Sequence, residues 1–150
     1  MDNDEVIQTL NKLIETSKDG EYGFRACAAH TSTPELKTMF ERHAEECLEG
    51  ARELQTCVVK LGGKPDEKGT ASGSAHRGWV ALRGSLTGYT DEAMLEECER
   101  GEDVAVARYR DALEQPLPED VKPIVERQYQ GVRRNHDEVR DLRNRLQAAH

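Results

Sequence analysis

Five side chains in this sequence bind metals or trade protons and recur at helical spacing: Glu21, His43, Glu46, Glu99 and His136. Ser17, Glu102, Gln128 and Asn135 stand near them on the same periodic pattern. Carboxylates offer oxygen and imidazoles offer nitrogen, so the five suit a single divalent cation. They leave iron, manganese or zinc open, and equally no metal at all. An ionised carboxylate buried without a partner is costly and tends to take up a proton instead. Each member therefore has a plainer reading too. Glu21 is either a ligand or a carboxylate satisfied by His43, and a lone helix histidine is more often hydrogen-bonded than ligating. Glu99 and Glu102 cannot both be central, and one must face solvent or an arginine. Asn135 and Gln128 could simply fix the register, as single polar seam residues do. His136 could pair with Asp137 or Glu138.

These groups meet only if helices bring them together. Ile7, Leu10, Ile14, Ser17, Glu21, Phe24 and Ala28 recur at steps of three and four, which predicts a helix over about 3–29. A second, about 34–61, opens at Thr33-Pro34-Glu35, with an N-cap and then proline in the first turn. It runs through Leu36, Phe40, His43, Cys47, Gly50, Leu54 and Cys57 and stops at Gly62-Gly63. A third, about 91–114, carries Leu95, Glu99, Glu102, Val106, Tyr109 and Leu113. A fourth, about 119–147, follows Gln115-Pro116-Leu117-Pro118 and carries Val121, Val125, Gln128, Val132, Asn135, Val139, Leu142 and Leu146. Facing seams pair Leu10 with Leu54, Glu21 with His43 and Phe24 with Phe40. They likewise pair Leu95 with Val139, Glu99 with Asn135 and Tyr109 with Val125.

About 29 residues separate the second and third helices, too many for a simple turn. Lys64 to Gly73 is polar, and Ser74–Leu86 reads as a short helix with Trp79, Leu82 and Leu86 on one side. Such a segment spans about 20 Å, enough with its flanks to travel the bundle lengthwise. The expected fold is all-α: an antiparallel four-helix bundle, two hairpins joined by a lengthwise crossover containing a short fifth helix. That connection is the ferritin-like one. It places Glu21 about 16 Å and Glu99 about 12 Å from the same end of the bundle, so the polar residues share one layer. Without a lengthwise crossover the layer dissolves.

One domain is the natural reading of 150 residues. A net charge of −8 argues against nucleic acid as a partner. The arginines near the C-terminal end alternate with Asp137, Glu138 and Asp141, the pattern of a solvated, salt-bridged face. No apolar run reaches the roughly 18 residues of a membrane span. The acidic start, Met1-Asp2-Asn3-Asp4-Glu5, is unlike a signal peptide. Cys27, Cys47, Cys57 and Cys98 form no Cys-x-x-Cys pair, so they read as reduced thiols of a cytoplasmic protein, with a zinc or redox centre as the rarer alternative.

Several stretches together carry a family resemblance: Glu21-Tyr22-Gly23-Phe24-Arg25, Leu61-Gly62-Gly63, His76-Arg77-Gly78-Trp79, Glu97-Cys98-Glu99-Arg100-Gly101-Glu102-Asp103 and Asn135-His136-Asp137. They resemble a proteobacterial ferritin-like family known as domain of unknown function 2383, over nearly the whole chain. The resemblance implies the ferritin-like fold and no defined activity. Di-iron bundles use a Glu from each of two helices and Glu-x-x-His from each of the other two. Glu21 and Glu99 match the single-Glu roles. His43-x-x-Glu46 reverses the motif, and Arg133-x-x-His136 puts an arginine where a carboxylate belongs. The expectation is a bundle with a polar interior layer holding at most one ion, without a complete ferroxidase centre. The rivals are a metal-dependent oxidase or iron-handling enzyme with an altered site, and a metal-free interaction module. A homodimer or higher homo-oligomer is expected, and in the interaction-module reading Trp79 and the crossover helix cover the partner.

Overall fold

The structure is a computed structural model and describes residues 1–67 and 90–149. Four helices are present among them: α1 (Asn3–His30), α2 (Pro34–Lys60), α3 (Asp91–Leu113) and α4 (Lys122–Ala148). Their ends follow local chemistry. The Asp2 carboxylate accepts the Glu5 N–H at 2.8 Å and caps α1, with Asp4 and Glu5 against the positive end of the helix dipole. Thr90 caps α3 by accepting from the Ala93 N–H at 3.2 Å. At the end of α2, Gly62 adopts φ +82°. Its N–H bonds the Val59 carbonyl and that of Gly63 bonds Val58, both at 3.0 Å. That is a Schellman stop, and it needs the left-handed residue that glycine supplies.

Two ends differ from expectation. Thr33 sits at the N-cap position of α2, but its hydroxyl makes no capping bond and donates to Asp91 at 2.5 Å. The hydroxyl is turned toward the carboxylate and away from the first N–H groups of α2. The fourth helix begins at Lys122 rather than near 119, because the N–H groups of Val121 and Lys122 first fold back onto the Pro118 carbonyl at 3.0 and 2.9 Å. That turn buries both Leu117 and Val121 against the end of the core.

Hydrogen bonds between elements fix the topology. Thr31 and Thr33, between α1 and α2, both donate to Asp91 at the start of α3 (2.7 and 2.5 Å). At the other end Asn3 donates to the Leu61 carbonyl at 3.5 Å, and Thr9 donates to Gln115, just past α3, at 3.0 Å. So α2 and α3 start at the same end and run parallel, as do α1 and α4. The connection between α2 and α3 must cover the length of the bundle, as expected. Its expected short helix, Ser74–Leu86 with Trp79, Leu82 and Leu86, lies outside the described residues.

The core divides into two apolar clusters. One joins Val6, Leu10 and Ile14 to Leu54, Val58 and Val125. The other joins Phe24, Cys27, Phe40, Met94, Leu95 and Val139. Phe24 meets Phe40 with ring centroids 6.3 Å apart, the pairing the seams predict. Between the clusters lies a waist of small and polar residues, including Ser17, Gly20, Cys47, Gly50, Gln128 and Asn135. Gly20 matters there, since a Cβ would sit 3.0 Å from the Cys47 sulfur, which would have to shift to make room.

Candidate metal site at the waist of the bundle

The five expected ligands are each engaged separately. Glu21 does not face His43; it pairs with Lys18 at 3.6 Å and Arg25 at 3.0 Å along its own helix. His43 is fully buried, and its Nε2–H donates to Glu138 at 2.6 Å, where Arg42 also binds at 2.6 Å. Glu46 accepts from Asn135 at 2.8 Å. Glu99 pairs with Arg143, not Asn135. His136 bonds Asp103 at 2.6 Å and lies 3.5 Å from Asp137. The expected facing pairs miss because the polar side chains reach sideways: long arginines and lysines find the carboxylates before a helix across the core does. Among the described residues, no group of three or more His, Cys, Asp or Glu is arranged to hold a metal ion.

The central carboxylate is Glu102. Of the two candidates on α3, Glu99 is the one facing an arginine, and Glu102 turns inward with 7% exposure. Its Oε1 is buried with no hydrogen-bond partner among the described residues. It lines a cavity of about 370 Å³ together with Ser17, Asp19, Cys47, Tyr109 and Asn135. The space exists because Gly20 and Gly23 of α1 and Gly101 and Ala105 of α3 line the same cavity. Burial, reinforced by the negative charges of Glu138, Asp103, Glu99 and Glu46, pushes the Glu102 carboxyl up to about 9. It therefore carries a proton at neutral pH. Glu102 was legible only as half of an ambiguous pair. The signal that resolves it is the small residues at 101 and 105, which leave room beside 102 and none of it for a large neighbour.

The rest of the waist is satisfied internally. Tyr109 donates to Gln128 at 2.8 Å and accepts from Ser17 at 3.4 Å. Gln128 in turn donates to the Gly50 carbonyl at 3.2 Å and to Glu53 at 2.8 Å. Burial raises the Tyr109 phenol, so it stays protonated. Burial, with Glu102, Glu46 and Glu21 nearby, likewise raises the Cys47 thiol and keeps it neutral. A second cavity of about 500 Å³ opens between α2 and α4, lined by Glu46, Glu49, Glu53, Arg127 and Arg134. Ser17, Cys47, Tyr109, Val132 and Asn135 border both cavities, so the two meet at the waist.

The di-iron pair of ferritin-like bundles does not fit these residues. Two ions need bridging and terminal carboxylates facing each other across the core. Here Glu21 and Glu99 are held by cationic partners, and α4 offers the Arg133 guanidinium where a carboxylate would be required. What the waist can offer is the inward Glu102 carboxyl and Asp19, with the Ser17 hydroxyl and Asn135 amide beside them and Arg100 and Arg108 also on the cavity wall.

The profile of a family described as a domain of unknown function (DUF2383) matches residues 5–115. No curated protein matches the chain. A dodecameric thioferritin, the bacterioferritin-related protein from Bacteroides fragilis, superposes with a TM-score of 0.80 at 18% identity, covering 99% of this chain and 90% of its own. A Dps1 mutant from Mycobacterium smegmatis superposes with a TM-score of 0.76 at 17% identity, covering 93% of this chain and 95% of its own. At such identities the likeness is one of fold.

Proposed function

Because the chain belongs to the DUF2383 family and has the ferritin-like fold, we propose that it is a bundle that binds one hard divalent cation at its waist and does not oxidise iron as a ferroxidase. The observation behind this reading is Glu102: a carboxyl buried beside a cavity, its Oε1 without a hydrogen-bond partner among the described residues, its pKa raised by burial and by the charges of four nearby acidic groups. A cation entering the cavity replaces the proton on Glu102 and relieves the repulsion from Glu138, Asp103, Glu99 and Glu46. Ser17, Asp19 and Asn135 line the cavity and offer oxygens, a donor set suited to Mn(II), Fe(II) or Mg(II) rather than a soft metal. Of the expected ligands, Glu46 and Glu99 are the proposed second carboxylates, each by releasing Asn135 or Arg143. Glu21, His43 and His136 serve as hydrogen-bonded groups that position the helices.

The test is anaerobic calorimetric titration of metal-stripped protein with Mn(II) and Fe(II), beside elemental analysis of freshly purified protein. One site per chain is expected, abolished in Glu102→Gln and retained in Glu21→Gln. Two ions per chain, or rapid oxygen consumption on adding Fe(II), would establish the oxidase reading instead. A homo-oligomer is proposed as well. The Bacteroides neighbour is dodecameric. Light scattering across a dilution series should find an assembly of defined size. A monomer at the highest attainable concentration would overturn this part.

A further inference from the structure

We propose that Cys27 and Cys98 form a second metal site, specific for a soft monovalent ion such as Cu(I). The two Sγ atoms lie 3.3 Å apart, on α1 and α3, and thus join the two hairpins. Cys27 is fully buried and Cys98 is 8% exposed. Met94 stands one helical turn before Cys98 on the same face of α3, and Met39 of α2 belongs to the same apolar cluster. Four sulfur-bearing side chains from three helices therefore belong to one apolar cluster, and Cys98 also borders the waist cavity.

Coordination chemistry narrows the occupant. A structural zinc needs four ligands, usually cysteine or histidine. No group of three or more His, Cys, Asp or Glu is arranged for a metal among the described residues, so this pair does not suit zinc. Hard cations choose oxygen, which this cluster lacks. Thiolate and thioether donors select Cu(I), and two thiolates satisfy a linear site without further ligands. A metal–thiolate bond of roughly 2.3 Å, the zinc value, asks the sulfurs to part by little more than an ångström. Binding releases one proton from each thiol and leaves a single negative charge shared across the metal and both sulfurs. That product is cheaper to bury than two separate thiolates. A Met94 or Met39 thioether could add a neutral third donor.

The experiment begins with thiol counting in denaturant, which should find all four cysteines free. The folded, reduced protein is then titrated anaerobically with Cu(I) from a coloured chelator. The expected result is one Cu(I) per chain withdrawn from the chelator, with growth of ultraviolet thiolate-to-copper absorbance. Cys27→Ser and Cys98→Ser should each lower the affinity at least a hundredfold, while Cys57→Ser, in the opposite cluster, leaves it unchanged. Circular dichroism verifies that each variant is folded. Met94→Leu keeps the packing volume and separates a sulfur ligand from a merely structural side chain. Uptake that survives in both serine variants, or that disappears in Cys57→Ser, would overturn the assignment. Glu102→Gln should bind Cu(I) as the parent does, so failure of the waist site and failure of this one are distinguishable.

Discussion

Glu102 sets a pH signature that can be read without any metal. Its folded pKa, about 9, lies above the ordinary carboxylate value of 4.5, so the folded chain holds a proton that the unfolded chain releases. The stability associated with that proton is fully present below pH 4.5 and is lost as pH rises toward about 9. His43 works in the opposite sense and in another window. Burial lowers it below 6.5 despite its bond to Glu138, so its contribution is lost as pH falls through that region. Between pH 6.5 and roughly 8.5, where unfolded cysteines begin to titrate, Glu102 should dominate. With chelator present, Glu102→Gln should be more stable than the parent there, by a margin that widens by up to about 1.4 kcal/mol per pH unit. Parallel urea-unfolding curves for the two proteins across that window would show that the carboxyl is not buried. At this scale the sequence was only half informative. Heptad spacing found the polar layer, because periodicity reports which side of a helix faces inward. It did not give the members' partners: Arg143 reaches Glu99 from another helix, while the Lys18 and Arg25 pairs with Glu21 are ordinary i,i+3 and i,i+4 spacings that the seam reading passed over.

Helices themselves were legible almost throughout. Seam spacing and the Gly62 stop are local signals, and both are realised as local chemistry predicts; the Thr33 cap is not, since its hydroxyl goes to Asp91. The start of α4 was not legible, since it depends on the turn at Pro118 that buries Leu117 and Val121 in the core. Nor was the role of Asp91, whose partners Thr31 and Thr33 are distant in sequence. Its carboxylate ties the α1–α2 turn to the start of α3, and partly buried hydrogen bonds to a charged group are worth roughly 1.5–3 kcal/mol each. Asp91→Ala should therefore destabilise the fold by about 2–4 kcal/mol, and Asp91→Asn by less, measured by urea midpoint. A loss under about 0.5 kcal/mol would mean that the tie is a surface contact. Leu54 is fully buried in the cluster at the other end, and Leu54→Ala should cost about 2–5 kcal/mol through the cavity it leaves.

Across the whole molecule the helices are anchored unequally. α1 and α2 each bury nine residues, whereas α4 buries only Val125 and Val139. Much of its attachment is polar, through Arg127 to Glu53, Gln128 to Gly50 and Glu138 to Arg42 and His43. Apolar burial resists opening more than exposed ion pairs do. Native-state hydrogen exchange should therefore find α4 opening at a lower free energy than α1 and α2, and more readily at high salt. Uniform protection across the four helices would mean that the bundle opens only as a unit. Leu61 and Asp91, between which the α2–α3 connection runs, stand at opposite poles of the bundle, as the lengthwise path requires.

That same path decides where the two ends of the described chain emerge. With α1 and α4 parallel, Asn3 and Ala148 stand at opposite ends of helices roughly 40 Å long. A tag or fused domain placed before Asn3 would project from one pole and one placed after Ala148 from the other, so a matched donor–acceptor dye pair there would report bundle length rather than contact. Joining the two by circular permutation would require a linker of at least about 12 extended residues. The turn at Thr31–Thr33 is the wrong place for the new opening, because cutting there would free both hydroxyls that hold Asp91.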